Sequence, residues 1–138
     1  MPSLAIVSSS DYLNDKLFLV SRDNCHDRFI LLKDCLEKNG WECHTHDLLN
    51  YNQTDIYLYI NIQKRQIPNL LLLSRKKKIL MVYEPKILRP LNHSYLTRKF
   101  FNNIIGWSEK NSNFIGPGTY IDKKLLEEKF IYPKRIKK

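Results

Sequence analysis

Glu84 is the first residue to consider for chemistry, because its neighbours fix where its carboxylate sits. Residues 79–83 (Ile-Leu-Met-Val-Tyr) are five apolar residues in a row, the pattern of a strand buried on both faces. Pro85 cannot donate to a sheet ladder and biases the residue before it toward extended geometry, so Glu84 is expected at the strand's C-terminal lip. In open parallel α/β sheets, ligands bind outside the carboxyl ends of the strands. A carboxylate in such a partly buried place suits the removal of a proton from a hydroxyl. The plain alternative is a solvated strand-end carboxylate paired with Arg89. Arg89, Asn92 and His93 follow within one loop, which Pro90 keeps from becoming a helix. Arginine and amide side chains suit hydroxyls and phosphates through directional hydrogen bonds, and each also reads as an ordinary loop residue. Ser9, within the Ser8-Ser9-Ser10 cluster at the exit of the first strand, is expected to line the same cleft.

Other chemistries find less support. Cys43, His44 and His46 invite a metal, and in a strand the two histidines point to one face, but zinc needs three or four ligands. Cys25-His26 is the only other Cys/His pair, so no metal site is expected. Neither G-x-G-x-x-G nor G-x-x-x-x-G-K-[ST] occurs. No paired strand-end carboxylates point to a hydrolase, and the serine cluster lacks a nucleophile-elbow context.

The elements that would position these residues alternate between strand and helix. Residues 4–7 predict a first strand, 41–45 a second, 55–62 a third, 79–83 a fourth and 103–107 a fifth. Asp27–Lys38 is the best helix: Phe29, Leu32 and Leu36 recur at helical spacing, Lys33, Asp34, Glu37 and Lys38 face water, and Gly40 is a natural C-terminal cap. Pro68 opens a short helix through the leucines at 70–73, and another lies within 94–102. Residues 116–118 (Gly-Pro-Gly) predict a turn and 122–130 a last helix. This alternation implies right-handed crossovers and an α/β class, a Rossmann-like, mainly parallel sheet with helices on both faces.

A chain of 138 residues with 43% hydrophobic and 12% aromatic content is one domain and excludes a disordered chain. No charged-apolar-small leader opens it, and its apolar runs are far too short to span a bilayer. Three cysteines, odd in number, suit free thiols in a reducing, cytoplasmic compartment. The formal charge of +9 suggests a polyanionic partner: nucleic acid, an anionic membrane surface or a phosphorylated substrate. Arg75, Lys76, Lys77 and Lys78 and the tail at 134–138 are expected to be exposed and to favour anionic membrane. Nucleic acid is disfavoured because no recognition signature appears.

The turn Tyr83-Glu84-Pro85, the following Arg89-Pro90-Leu91-Asn92 and the stretch from Phe100 to Trp107 resemble glycosyltransferase family 10, the α-1,3/1,4-fucosyltransferases. Residues 32–47, which read helix, Gly40, strand and His44-Thr45-His46-Asp47, are similar to that family's lead-in. The resemblance covers roughly residues 25–133 and only the family's N-terminal half. Departures are Lys86 where a second proline is common, Leu91 between Pro90 and Asn92, and Gly106 before Trp107. The resemblance implies a single acceptor-side domain over 1–133, a basic tail at 134–138 and an absent C-terminal donor-binding domain, the two together forming a GT-B architecture. It implies inverting, cofactor- and metal-independent transfer from a nucleotide sugar, GDP-fucose by family habit, to a glycan acceptor such as a surface polysaccharide, with this half inactive alone. Glu84 matches the family's catalytic base, while Arg89, Asn92, His93 and Ser9 are candidates for substrate binding. A non-catalytic basic α/β module for nucleic acid or an anionic surface is the alternative. A receiver-like interaction domain fits poorly, since serines stand where acidic residues would follow the first strand.

Overall fold

The structure is a computed structural model that describes residues 1–73 and 75–106. Five strands form one parallel sheet: β1 (Ser3–Val7), β2 (Glu42–Thr45), β3 (Ile56–Ile60), β4 (Lys77–Met81) and β5 (Asn103–Ile105), in the order β2-β1-β3-β4-β5. Three helices connect them: α1 (Asp27–Lys38), α2 (Ile67–Leu72) and the single turn α3 (Tyr95–Arg98). The turn, the last helix and the basic tail expected at 116–118, 122–130 and 134–138 lie outside the described residues.

The strand period of two sorts the core onto two faces. Leu4 and Ile6 of β1 and Leu58 of β3 pack with Leu17 and Phe29, and with Leu32 and Leu36 of α1. Ala5 and Val7 turn the other way, with Tyr57, Tyr59, Leu80 and Val82, to meet Leu70, Leu73 and Phe101. Full burial of each Leu, Ile, Val or Phe among them contributes about 1.5–3 kcal/mol. Helices therefore cover both faces, and β1 is buried throughout, Ser3 included, with an apolar run at 4–7 because both of its faces are covered.

α1 ends as its sequence directs. The Trp41 N–H donates to Leu36 O and the Gly40 N–H to Glu37 O, both at 3.0 Å, which is the Schellman arrangement. It requires Gly40 at φ +76°, which a side chain would strain. Pro68 lies in the first turn of α2, where a missing N–H costs nothing.

Three expectations change. The fourth strand begins at Lys77 rather than Ile79 and its ladder ends at Met81, although Val82 still donates to Ile105 O at 2.7 Å. With that register, Lys78 shares the inward pleat with Leu80 and Val82. It is 2% exposed, not solvated as expected of the whole basic run, and its ammonium donates to the carbonyls of Leu73 and Lys76. Burial pushes its pKa down. Arg75 and Lys77 are exposed and Lys76 is half-buried.

Lys33, expected to face water, lies over the Phe18 ring and reaches Asp15 at 3.0 Å. Asp15 occupies a left-handed position, φ 60°, and also accepts from the Thr45 N–H at 2.8 Å and contacts His44 Nδ1 at 2.6 Å. Burial acts to raise the Asp15 pKa, but the Thr45 N–H, His44 and Lys33 outweigh it and hold the carboxyl below its usual range. A depressed carboxylate adds stability that is complete above its unfolded pKa and lost as pH falls through the native one. Asn tolerates the same backbone, so Asp15→Asn removes mainly the charge. In chemical denaturation it should cost roughly 1–2 kcal/mol near neutrality, and the difference from wild type should close below about pH 4.

Candidate functional site

Strand β1 has β2 on one side and β3 on the other, so successive crossovers leave in opposite directions and open a crevice above the carboxyl ends of β1 and β3. A cleft of about 1010 Å³ lies there. Its walls are residues 8–12 after β1, 60–65 after β3, and 83–84 with 88–91 after β4, together with the start of α1.

A pair of side-chain amides sets the floor. The β3 exit turns at Asn61, whose φ of 55° is a left-handed position that Asn tolerates. Asn61 Oδ1 accepts from the N–H groups of Tyr83 at 3.0 Å and Glu84 at 3.3 Å, and from Asn92 Nδ2 at 2.8 Å. Asn92 Oδ1 in turn accepts from the Ile62 N–H at 2.7 Å. Three segments far apart in sequence are thereby tied together. The wall after β3 is fixed by Gln66, whose Oε1 accepts from the Gln63 N–H at 2.9 Å and whose Nε2 donates to Ser8 O at 3.2 Å.

Glu84 sits three residues beyond the last residue of β4 rather than at the ladder's end, its main chain held by Asn61. Its Oε2 lies 2.8 Å from Arg89 Nε, with the side chains 36% and 41% exposed. Glu84 is therefore on the cleft rim and not buried against the arginine. The contact lacks hydrogen-bond alignment, so Arg89 Nε, itself shut off from solvent, is held by charge rather than by a directed bond. At this exposure the pair contributes at most about 1 kcal/mol to folding.

The other predicted residues divide. Ser9 is half-buried in the cleft wall, and its carbonyl accepts from the Tyr12 N–H at 3.2 Å. Arg89 lines the cleft but is directed at Glu84. His93 lies outside the lining, its Nε2 3.4 Å from the Glu84 carbonyl oxygen. Asn92 gives up the substrate-binding role expected of it: it is 0% exposed and its amide is engaged within the protein. Arg28, Lys64, Arg65 and Tyr83, not singled out from sequence, also face the cleft. The Arg28 guanidinium lies 4.6 Å from the Tyr83 ring centroid.

Away from the cleft, His44 is taken up by Asp15. Among the described residues no group of three or more His, Cys, Asp or Glu could hold a metal ion. The cysteines are unpaired thiols, and burial pushes that of Cys43 up to about 11, which makes it a poor nucleophile.

No protein-family model, no curated protein and no solved structure matches this chain.

Asn92→Ala should leave the Ile62 N–H without a partner in a dry site and cost about 2–3 kcal/mol, read from the denaturation midpoint. The amide resonances of Ile62, Tyr83 and Glu84 should move most, because those groups lose their bracket. A loss below about 0.5 kcal/mol, the size of an ordinary surface substitution, would show that the bracket carries little.

Proposed function

We propose that the chain is the acceptor-side half of a nucleotide-sugar-dependent, inverting glycosyltransferase, with Glu84 as the general base. The observation that supports this most is the rim position of Glu84: a carboxylate braced by Arg89, at the mouth of a cleft on the carboxyl edge of a parallel sheet. The resemblance to family 10 in the residues around Glu84 supplies the reaction class.

In the proposed reaction, the acceptor hydroxyl hydrogen-bonds to Glu84, whose Oε1 has no partner among the described residues. As the hydroxyl oxygen attacks the anomeric carbon, its proton passes to Glu84, the bond from that carbon to the phosphate oxygen breaks, and the nucleoside diphosphate leaves. Arg89 keeps the carboxylate aimed throughout, which matters because misplacement of a base is costly in rate. Ser9 and the polar edge after β3 offer further contacts to acceptor hydroxyls. The donor, GDP-fucose by the resemblance, is a substrate that a second domain would hold.

The alternative, a basic module for nucleic acid or an anionic surface, draws on exposed cations such as Arg75 and Lys77. It is weakened by the burial of Lys78, Tyr57 and Tyr59, which removes one cation and two rings from the surface. No helix among the described residues is long and apolar enough to cross a membrane. A place at the cytoplasmic face of a membrane, beside lipid-linked acceptors, belongs to the same proposal.

In an enzyme that joins this chain to a donor-binding domain, Glu84→Gln should lower kcat by about 10²–10⁴-fold. Thermal stability should change little, because the side chain makes one half-exposed ion pair. Near-normal kcat in that variant would remove Glu84 from the chemistry.

A further inference from the structure

The cleft has a sign. Arg28, Lys64, Arg65 and Arg89 line it, against Asp11 and Glu84. Arg89 and Glu84 offset one another at 2.8 Å, which leaves three cations facing one exposed carboxylate. Arg28, Lys64 and Arg65 form no salt bridge with any described residue. Cations left without counter-charge on the walls of a concavity concentrate their field within it and attract anions.

The Arg28 guanidinium and the backbone turn that carries Lys64 and Arg65 are also held in place. Arg28 Nε donates to Cys25 O at 3.2 Å while its guanidinium covers the Tyr83 ring. Lys64 and Arg65 ride on the turn that Gln66 pins to its own start and to Ser8 O. Such preorganisation lowers the ordering cost of binding.

We propose that the cleft selects an acidic saccharide, whose carboxylate or phosphate is held by Arg28, Lys64 and Arg65 while a sugar hydroxyl meets Glu84. The inference rests on the acceptor-cleft reading above and adds to it the charge class of the acceptor. Arginine's planar fork matches both carboxylate and phosphate oxygens, and lysine supplies a point charge to either. A cleft of about 1010 Å³ admits an oligosaccharide. Nucleic acid fits less well, because base stacking needs open aromatic faces. Here Tyr83 lies under Arg28, and Tyr12 packs edge-on against His26 at 5.1 Å.

The test is an NMR titration of the 138-residue chain with matched probes: 3′-sialyllactose against lactose for the carboxylate, and galactose 6-phosphate against galactose for the phosphate. At least one acidic probe should bind about fivefold or more tightly than its neutral partner, as expected for a few solvent-exposed charge contacts. The advantage should shrink with added salt, and the arm that shows it identifies the anionic group. It should vanish in Lys64→Ser/Arg65→Ser and fall in Arg28→Gln, with circular dichroism reporting that each variant is folded. Equal binding of acidic and neutral probes would overturn the charge assignment while leaving the acceptor reading intact. Binding of no saccharide would overturn both. Tighter, competing binding of a single-stranded decanucleotide would overturn both in favour of a nucleic-acid site, and an acidic preference that survives all three substitutions would remove these residues from it.

Discussion

Past the last backbone bond between the β3 and β4 exits, from the Asn61 N–H to Met81 O at 2.9 Å, the amide of Asn92 spans the two segments, and the cleft depends on it. Parallel strands bond well along their length, but their carboxyl ends diverge into loops whose N–H groups must find acceptors away from water. Here Asn61 Oδ1 takes the N–H groups of Tyr83 and Glu84, and Asn92 closes the circuit by bonding both to Asn61 and to the Ile62 N–H. A buried polar network of this kind stabilises only when it is complete, because each orphaned group costs about 1–3 kcal/mol. That all-or-none character lets two short side chains hold the β3 and β4 exits in one arrangement.

The bracket links fold to chemistry. The sheet alone would bring the β4 exit to the correct edge, but not aim Glu84. Asn61 fixes the Glu84 main chain, and the Arg89 charge lies 2.8 Å from its carboxylate. Gln66 gives the neighbouring wall similar support, tying the turn that carries Lys64 and Arg65 to the β1 exit. The two walls thus rest on side-chain amides that never need to touch a ligand.

Local signals made part of this legible in the sequence. α1 could be delimited at both ends because its apolar period and Gly40 agree, and the strand centres followed from apolar runs. The start of β4 was misplaced because Lys77 and Lys78 look like solvent-facing charge, yet the parallel register with Ile56 and Tyr57 draws them into the sheet. Asn92 was read as a ligand contact because an amide in a loop suits hydroxyls and phosphates, whereas its burial comes from segments some thirty residues away. Arg28, Lys64 and Arg65 carry no local mark of shared function, and only the crossovers on either side of β1 bring them to one edge. Asn61 did leave a trace, an Asn directly after an apolar run, which suits a left-handed strand exit.

Native-state hydrogen exchange tests the central dependence most directly. The amides of Ile62, Tyr83 and Glu84 lie outside regular strands and bond to side-chain amide oxygens. If the bracket fixes the cleft, these three should exchange in the same slow class as the sheet amides of Leu58 and Tyr59, opening only when the domain itself opens. Exchange of all three at the rate of exposed loop amides, with the sheet still protected, would mean that the strand exits move independently and that the bracket does not set the position of Glu84.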